Sequence, residues 1–220
     1  MRVWQRAFIL VAIPATTLVA AALYRPPHPQ PNPHHFVKID SSGSAMPAWA
    51  GPWACICDRR SGLLWEVKTD SESIHEGQWT YSWYRESNLE LEHPAQGTPN
   101  QGDCYFEAER CDTEDLIRHT RQQRLCGQDD WRLPTAEELR SLVYKDAKPG
   151  QPTIDAAYFP KTKRGDYWTA EQNHSLQNVY SYLNEGALAI SFVDGQPITI
   201  PHRNAAFVRL VTSSSKSCHQ

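Results

Sequence analysis

Apolar side chains recur along this chain at two spacings, and each predicts a kind of element. Ala136, Leu139, Leu142 and Val143 follow helical spacing and give one apolar face to a helix. Pro134 restricts Leu133 to extended backbone, so the preceding segment ends there. Thr135 and Glu138 then form a capping box, S/T-x-x-E, where the helix begins. Trp131 and Leu133 alternate just ahead of it and are expected to bury on the same side. A second helix is expected from Asp112 or Thr113 to about Leu125, with Glu114–Arg118 and Asp115–His119 as i,i+4 pairs. Arg118, Arg121 and Arg124 share one side of it, read as a solvated face rather than a polyanion site.

Elsewhere the spacing is two. Phe36–Ile39 predicts a strand, followed by a turn through Gly43. Two further strands lie between Trp53 and Thr69, joined by a turn at Arg60 to Gly62. Trp79, Tyr81 and Trp83 fall on one side of an alternating run, read as half of a core in preference to a sugar-stacking platform. Tyr167–Thr169, Val179–Leu183, Leu188–Val193 and Ile198–Ile200 read as successive strands, with turns at Asn184–Gly186 and Asp194–Gly195. Phe207–Val211 closes the domain as a last strand. Two helices followed by a run of strands make the class α+β, with a twisted antiparallel sheet. Arg85 to Asp103 has no period and contains Pro94, Gly97, Pro99 and Gly102. It is expected to be a long surface loop, the kind of segment that carries function.

Composition narrows the classes. The 220 residues carry a formal charge of −3, which does not suggest bulk nucleic-acid binding. Eight Trp and nine Tyr beside two Met favour a core and platforms built from rings. Six Cys leave disulfides or metal. Arg2 and Arg6 precede an uncharged run, Ala7 to Tyr24, which reads as an export signal. Ala20 and Ala22 offer a cleavage site. Residues 7–24 are alternatively an uncleaved inner-membrane anchor, at the edge of spanning length and interrupted by Pro14. Pro26, Pro27, Pro29, Pro31 and Pro33 make residues 25–35 a semi-rigid spacer. The interleaved His28, His34 and His35 form only a weak metal tract. The expected organisation is a signal or anchor over 1–24, a linker over 25–35, a domain over 36–212 and a tail over 213–220 containing Cys218.

Candidate chemistry is sparse. His75-Glu76 lacks the second His of a metalloprotease helix, and no G-x-S-x-G elbow or phosphate-binding glycine loop occurs. Asp129 and Asp130 offer hard oxygens to calcium, but the Glu-Pro-Asn and Gln-Pro-Asp triplets of calcium-dependent sugar sites are missing from the domain. No cofactor is therefore implied. Cys55 and Cys57 could begin a zinc site with His75. At i and i+2 in a strand they share a face and sit too far apart to bridge each other. An export context favours a separate disulfide partner for each.

An ordered set of short segments resembles a known family. It comprises Trp53-Ala-Cys55, Ser61-Gly-Leu-Leu-Trp65-Glu-Val-Lys68, Trp79-Thr-Tyr-Ser-Trp83-Tyr84, Cys111-Asp-Thr113, Leu125-Cys-Gly127, Trp131-Arg-Leu-Pro-Thr135, Ile154-Asp155, Tyr158-Phe-Pro160, Tyr167-Trp168 and Val208-Arg-Leu-Val211. From Phe36 to Val211 the chain resembles the Lcl C-terminal domain family, named for the terminal domain of a bacterial collagen-like adhesin. Cys57 and Cys218 are additions to the usual family pattern.

The resemblance implies an exported module with a C-type lectin-like fold, related to the formylglycine-generating, sulfatase-modifying enzymes. Those relatives oxidise cysteine with copper through a close pair of reactive thiols late in the fold. Here only Cys218 follows Cys126, so the pair is missing. The implied fold brings its terminal strands together and pairs Cys57 with Cys218. Cys104 and Cys111 suit a short staple, which leaves Cys55 with Cys126.

The expected function is non-enzymatic recognition of a carbohydrate or surface polymer. The alternative is a structural subunit that binds a partner protein at the cell surface. The expected ligand surface uses the Arg85–Asp103 loop together with Asp166–Trp168 and Asn173–Tyr182. Its named candidates are Tyr84, Glu90, Glu92, His93, Asp103, Tyr167, Trp168, Tyr180 and Tyr182.

Overall fold

The alternation between Cys55 and Glu66 becomes two antiparallel strands with both faces covered. Strand β1 (Phe36–Ile39) pairs with β2 (Cys55–Asp58), and β2 pairs with β3 (Leu63–Glu66). These observations come from a computed structural model that describes residues 35–88, 93–104, 110–172, 174–176, 178–183, 185–213 and 218. Cys55, Cys57 and Leu64 point into a core with Leu116, Trp131 and Trp168. Ile56 and Trp65 point the other way, into a second core with Leu139, Phe159 and Phe192. A pleated strand sends successive side chains to opposite faces, so one short apolar run serves two cores.

Among the described residues the α-helices are α1 (Thr113–Gln123) and α2 (Ala136–Arg140). Asp112 caps α1 by accepting from the Asp115 amide at 3.0 Å. Thr135 and Glu138 form the expected capping box on α2: the Glu138 amide donates to Thr135 Oγ1, and the Thr135 amide donates to the Glu138 carboxylate. That helix is shorter than its apolar spacing predicts. Val143 instead forms an isolated bridge with Ile154, while Leu139 and Leu142 are buried.

The strands that follow differ from a single sheet. Strands β4 (Tyr84–Arg85) and β5 (Gln96–Gly97) form a small hairpin inside the segment read as a loop. Strands β6 (Asp166–Trp168), β7 (His174–Ser175) and β9 (Pro197–Ile200) all pair with β8 (Glu185–Ser191). The last strand, β10 (Val211–Ser213), pairs with β3 and completes the sheet ordered β1-β2-β3-β10. The class is α+β, with three antiparallel sheets among the described residues where one was expected.

Two predicted strands are corrected. Asn178–Leu183 is a 3-10 helix, because β7 and β8 pair directly and leave the intervening residues as an excursion. Its Val179 and Tyr182 are 76% and 67% exposed, with no strand neighbour to reward an extended form. Phe207 forms only an isolated parallel bridge with Tyr167, and Val208 to Leu210 run as irregular backbone: the Trp168 amide donates to the Phe207 carbonyl, and the Glu66 amide donates to that of Leu210. The i,i+4 ion pairs of α1 are also replaced. Arg118 pairs with Asp115 and Glu86, and His119 Nδ1 lies 2.9 Å from the Asp115 backbone carbonyl.

Three disulfides tie the fold: Cys55–Cys126, Cys57–Cys218 and Cys104–Cys111. These are the expected pairs. They remove the zinc alternative, since His75 turns to Glu66 and both strand cysteines are oxidised. Disulfides persist in oxidising compartments, which points to an exported protein. Among the described residues no helix is long and apolar enough to cross a membrane. The signal or anchor over 1–24 and the Pro-rich spacer through His34 lie outside the described residues.

The core also holds a charge cluster that alternation does not predict. Glu66 is fully buried and receives Lys68 Nζ at 2.7 Å, His75 Nδ1 at 2.8 Å and the Leu210 amide at 2.9 Å. Burial by itself would raise this carboxyl. The Lys68 charge and the His75 contact outweigh burial and hold it down to about 2. Arg209 is equally buried; it donates to the Glu66 carbonyl and to Thr162 Oγ1, and it lies over the Phe159 ring. The cluster fastens β3 to the chain's C-terminal segment.

Candidate functional site

Two clefts share Tyr84 in their walls, and short local bonds build both of them. The Tyr84 amide donates to Thr113 Oγ1 at 2.9 Å, and the Thr113 hydroxyl donates to the Tyr84 carbonyl at 2.6 Å. The first residue of α1 thus clamps β4. The hairpin closes tightly at Gly97, where φ is 87° and a Cβ would sit 2.2 Å from the Trp83 carbonyl oxygen. Only glycine fits that approach. Beyond it, the Asn100 amide donates to Asp112 Oδ2 and the Gln101 amide to Ser82 Oγ. Gly102 donates to the Cys111 carbonyl, and the Cys104–Cys111 disulfide staples the same corner.

The first cleft has a volume of about 420 Å³. Its walls are largely apolar, with Trp83, Tyr84, Ile117 and Leu133. Arg85, Arg121, Arg132 and Glu114 supply its polar edge, and Thr135 and Ala170 complete it. Several of these groups are already held in place. Arg132 makes a two-pronged pair with Glu138 at 2.7 and 2.8 Å, and Arg121 Nε donates to the Trp131 carbonyl. Arg85 Nη2 donates to Gln96 Oε1, while its Nε is buried without a partner. Burial, reinforced by the nearby Glu86 charge, pushes the Glu114 carboxyl above its usual range.

The second cleft, of about 500 Å³, is polar. Tyr84, Glu86, Pro99 and Asn100 line one part of it; Arg110, Asp112, Asp115 and Arg118 line the rest. Burial raises the Asp112 carboxyl. A tyrosine that lines both an apolar trough and a polar one can take a ligand that has both a flat apolar face and hydrogen-bonding groups at its edge.

The predicted ligand residues divide. Tyr84 lines both clefts, and the loop's Glu86, Pro99 and Asn100 frame the second. Tyr167 and Trp168 are 1% and 0% exposed and cannot meet a ligand. Each ring is consumed by the core: Trp168 Nε1 donates to the Tyr81 carbonyl, and Tyr167 packs against Phe192 and Phe207. Asp103 bonds Thr80 through its backbone and keeps an exposed side chain. His93 is exposed and exchanges backbone hydrogen bonds with Asn88. Tyr180 and Tyr182 sit on the 3-10 helix, and neither they nor Asp103 and His93 line the two clefts. Glu90, Glu92 and Asn173 lie outside the described residues.

Arg85 opens the loop expected to carry the ligand surface, whereas sequence reasoning missed Glu114, Arg121 and Arg132. The available signal was the arginine spacing on α1, which had been read as a solvated face. Arg118 and Arg124 do meet acidic neighbours there, Arg124 facing Asp129 at 3.8 Å. The two calcium candidates are engaged as well, since Asp130 accepts from the Thr212 hydroxyl. Among the described residues no group of three His, Cys, Asp or Glu is placed to hold a metal ion.

No curated protein and no solved structure matches this chain. The profile of the Lcl C-terminal domain matches residues 54–212, and the chain belongs to that family.

Proposed function

We propose that this domain is a non-enzymatic recognition module, held at the outer side of a bacterial membrane, that binds a carbohydrate or another surface polymer across Tyr84. The carrying observation is the pair of clefts sharing that ring, one apolar-walled and one polar. Sugars present the same division, with apolar ring faces and hydroxyl edges. Tyr84 meets such a ligand at low entropic cost, because α1 already holds its backbone. Two helices, antiparallel sheets and three disulfides are compatible with a C-type lectin-like arrangement, and we read the fold that way. The export segment over 1–24 and the Pro-rich spacer over 25–35 would present the domain at the periplasmic or cell surface.

A glycan and matrix-polymer binding panel with the full-length protein tests the reading. Tyr84→Ala should abolish binding of any verified ligand while the melting temperature holds. Unchanged binding would move the site elsewhere. A second reading, contact with a partner protein, is favoured by Val179 and Tyr182. They stand three residues apart on a 3-10 helix and are both strongly exposed. Loss of surface retention in a Val179→Ser/Tyr182→Ser variant with an intact glycan profile would select it.

A further inference from the structure

A residue that lines the polar cleft carries an acceptor that the fold leaves unpaired. Asp115 is only 5% exposed and lines that cleft; its Oδ1 receives Arg118, whereas its Oδ2 is buried with no hydrogen-bond partner. Buried carboxylate oxygens are normally paired, because leaving one unpaired forfeits its hydration without return. The charges around it do not close either. Glu86 shares Arg118 with Asp115, and Asp112 spends its oxygens on the amides of Asp115 and Asn100. Arg110 is the other cation among the described lining residues and is exposed. Among the described residues that line the cleft, three carboxylates therefore face two guanidinium groups.

Resting on the recognition reading above, we propose that this cleft is a subsite for a protonated amine of the ligand, carried on an amino sugar whose nitrogen is not acylated. An ammonium supplies up to three donors from a single atom and the missing positive charge. A neutral hydroxyl supplies one donor and no charge. The Tyr84 ring at the cleft wall adds an attractive face for a cation. The apolar trough that Tyr84 also lines suits the body of the adjoining sugar, which favours an amino sugar over a flexible lysine chain.

Calorimetry on the full-length protein with a glucosamine hexamer and an N-acetylglucosamine hexamer of equal length tests this. The free-amine oligomer should bind at least tenfold more tightly. Asp115→Asn, nearly isosteric, should erase that preference. Glu86→Gln alters an exposed residue that the fold can spare; it should lower the preference at least threefold and carries the test if Asp115→Asn fails to fold. Asp194→Asn removes the same charge at the exposed β8–β9 turn and should change nothing. Equal affinity for the two oligomers overturns the amine subsite and leaves the recognition reading standing. Binding of neither also overturns it, and the polymer panel then decides the recognition reading separately. An Asp194→Asn effect equal to that of Glu86→Gln overturns it in favour of bulk charge. A lysine tripeptide that binds as tightly as the glucosamine hexamer, with the same Asp115 dependence, overturns the amino-sugar assignment.

Discussion

Thr113 and Tyr84 hold each other through two hydrogen bonds, one in each direction, so the first turn of α1 fixes the backbone of the tyrosine that lines both clefts. Thr113 is fully buried, and its hydroxyl is both donor and acceptor. Thr113→Val keeps the shape and removes both bonds. It should cost about 1–3 kcal/mol of stability in urea unfolding, the range for leaving buried polar groups unpaired. Binding at Tyr84 should weaken beyond what that stability loss explains. Thr113→Ser should restore both properties.

The Glu66 carboxyl titrates at about 2 in the folded protein, well below its ordinary 4.5. A depressed carboxyl contributes stability that is fully present above its unfolded value and is lost as pH falls through the folded one. Stability should therefore fall between about pH 4.5 and 2, with proton uptake on unfolding in that window. Glu66→Gln should remove that component of the slope. At neutral pH it should also destabilise strongly, by about 3–5 kcal/mol, because Lys68 and Arg209 would remain buried without their counter-charge. A variant with an unaltered acid slope would show that other carboxylates govern acid unfolding.

The three disulfides should differ in what their removal does. In the chain-entropy account the stabilisation grows with the loop closed. Cys57–Cys218 spans 161 residues of separation and should be worth up to about 5 kcal/mol, whereas Cys104–Cys111 spans 7 and should be worth about 2 kcal/mol. Paired serine variants compared by denaturant midpoint check this order. The Cys104→Ser/Cys111→Ser variant should lose ligand affinity out of proportion to its stability, since that staple sits where the loop meets the polar cleft. Peptide mapping without reductant should find all six cysteines oxidised.

Thr135 caps α2 and also lines the apolar cleft. Thr135→Ala should cost about 1 kcal/mol through the lost cap. Thr135→Ser keeps the capping oxygen and should recover most of it. If ligand binding disappears in Thr135→Ala while the melting temperature holds, the residue contacts ligand directly. If both variants bind normally, it serves the scaffold alone.

What was legible in the sequence was local. The capping box at Thr135, the Asp112 cap, the β2–β3 hairpin and the core role of Tyr81 and Trp83 each depend on residues close together in the chain. Their physics is short-ranged. A deletion of Glu90 to Gln101 marks where that reach ends. It would remove β5 and the Asn100 and Gln101 bonds to α1 and Ser82, contacts made across the fold.

Only the tertiary structure separated buried rings from exposed ones. Tyr84 and Tyr167 are the same residue type in similar aromatic surroundings, yet one faces two clefts and the other is sealed by Phe192 and Phe207. The Glu66 cluster was equally hidden, because its charges come from β3, the segment after it and the far end of the chain. Membership of the Lcl C-terminal domain family could be read from the order of short segments. The clefts could not, because the apolar one is made where β4, α1 and the turn before α2 converge and the polar one where β4, α1 and the Pro99–Asn100 segment do, and convergence leaves no periodic mark on the chain.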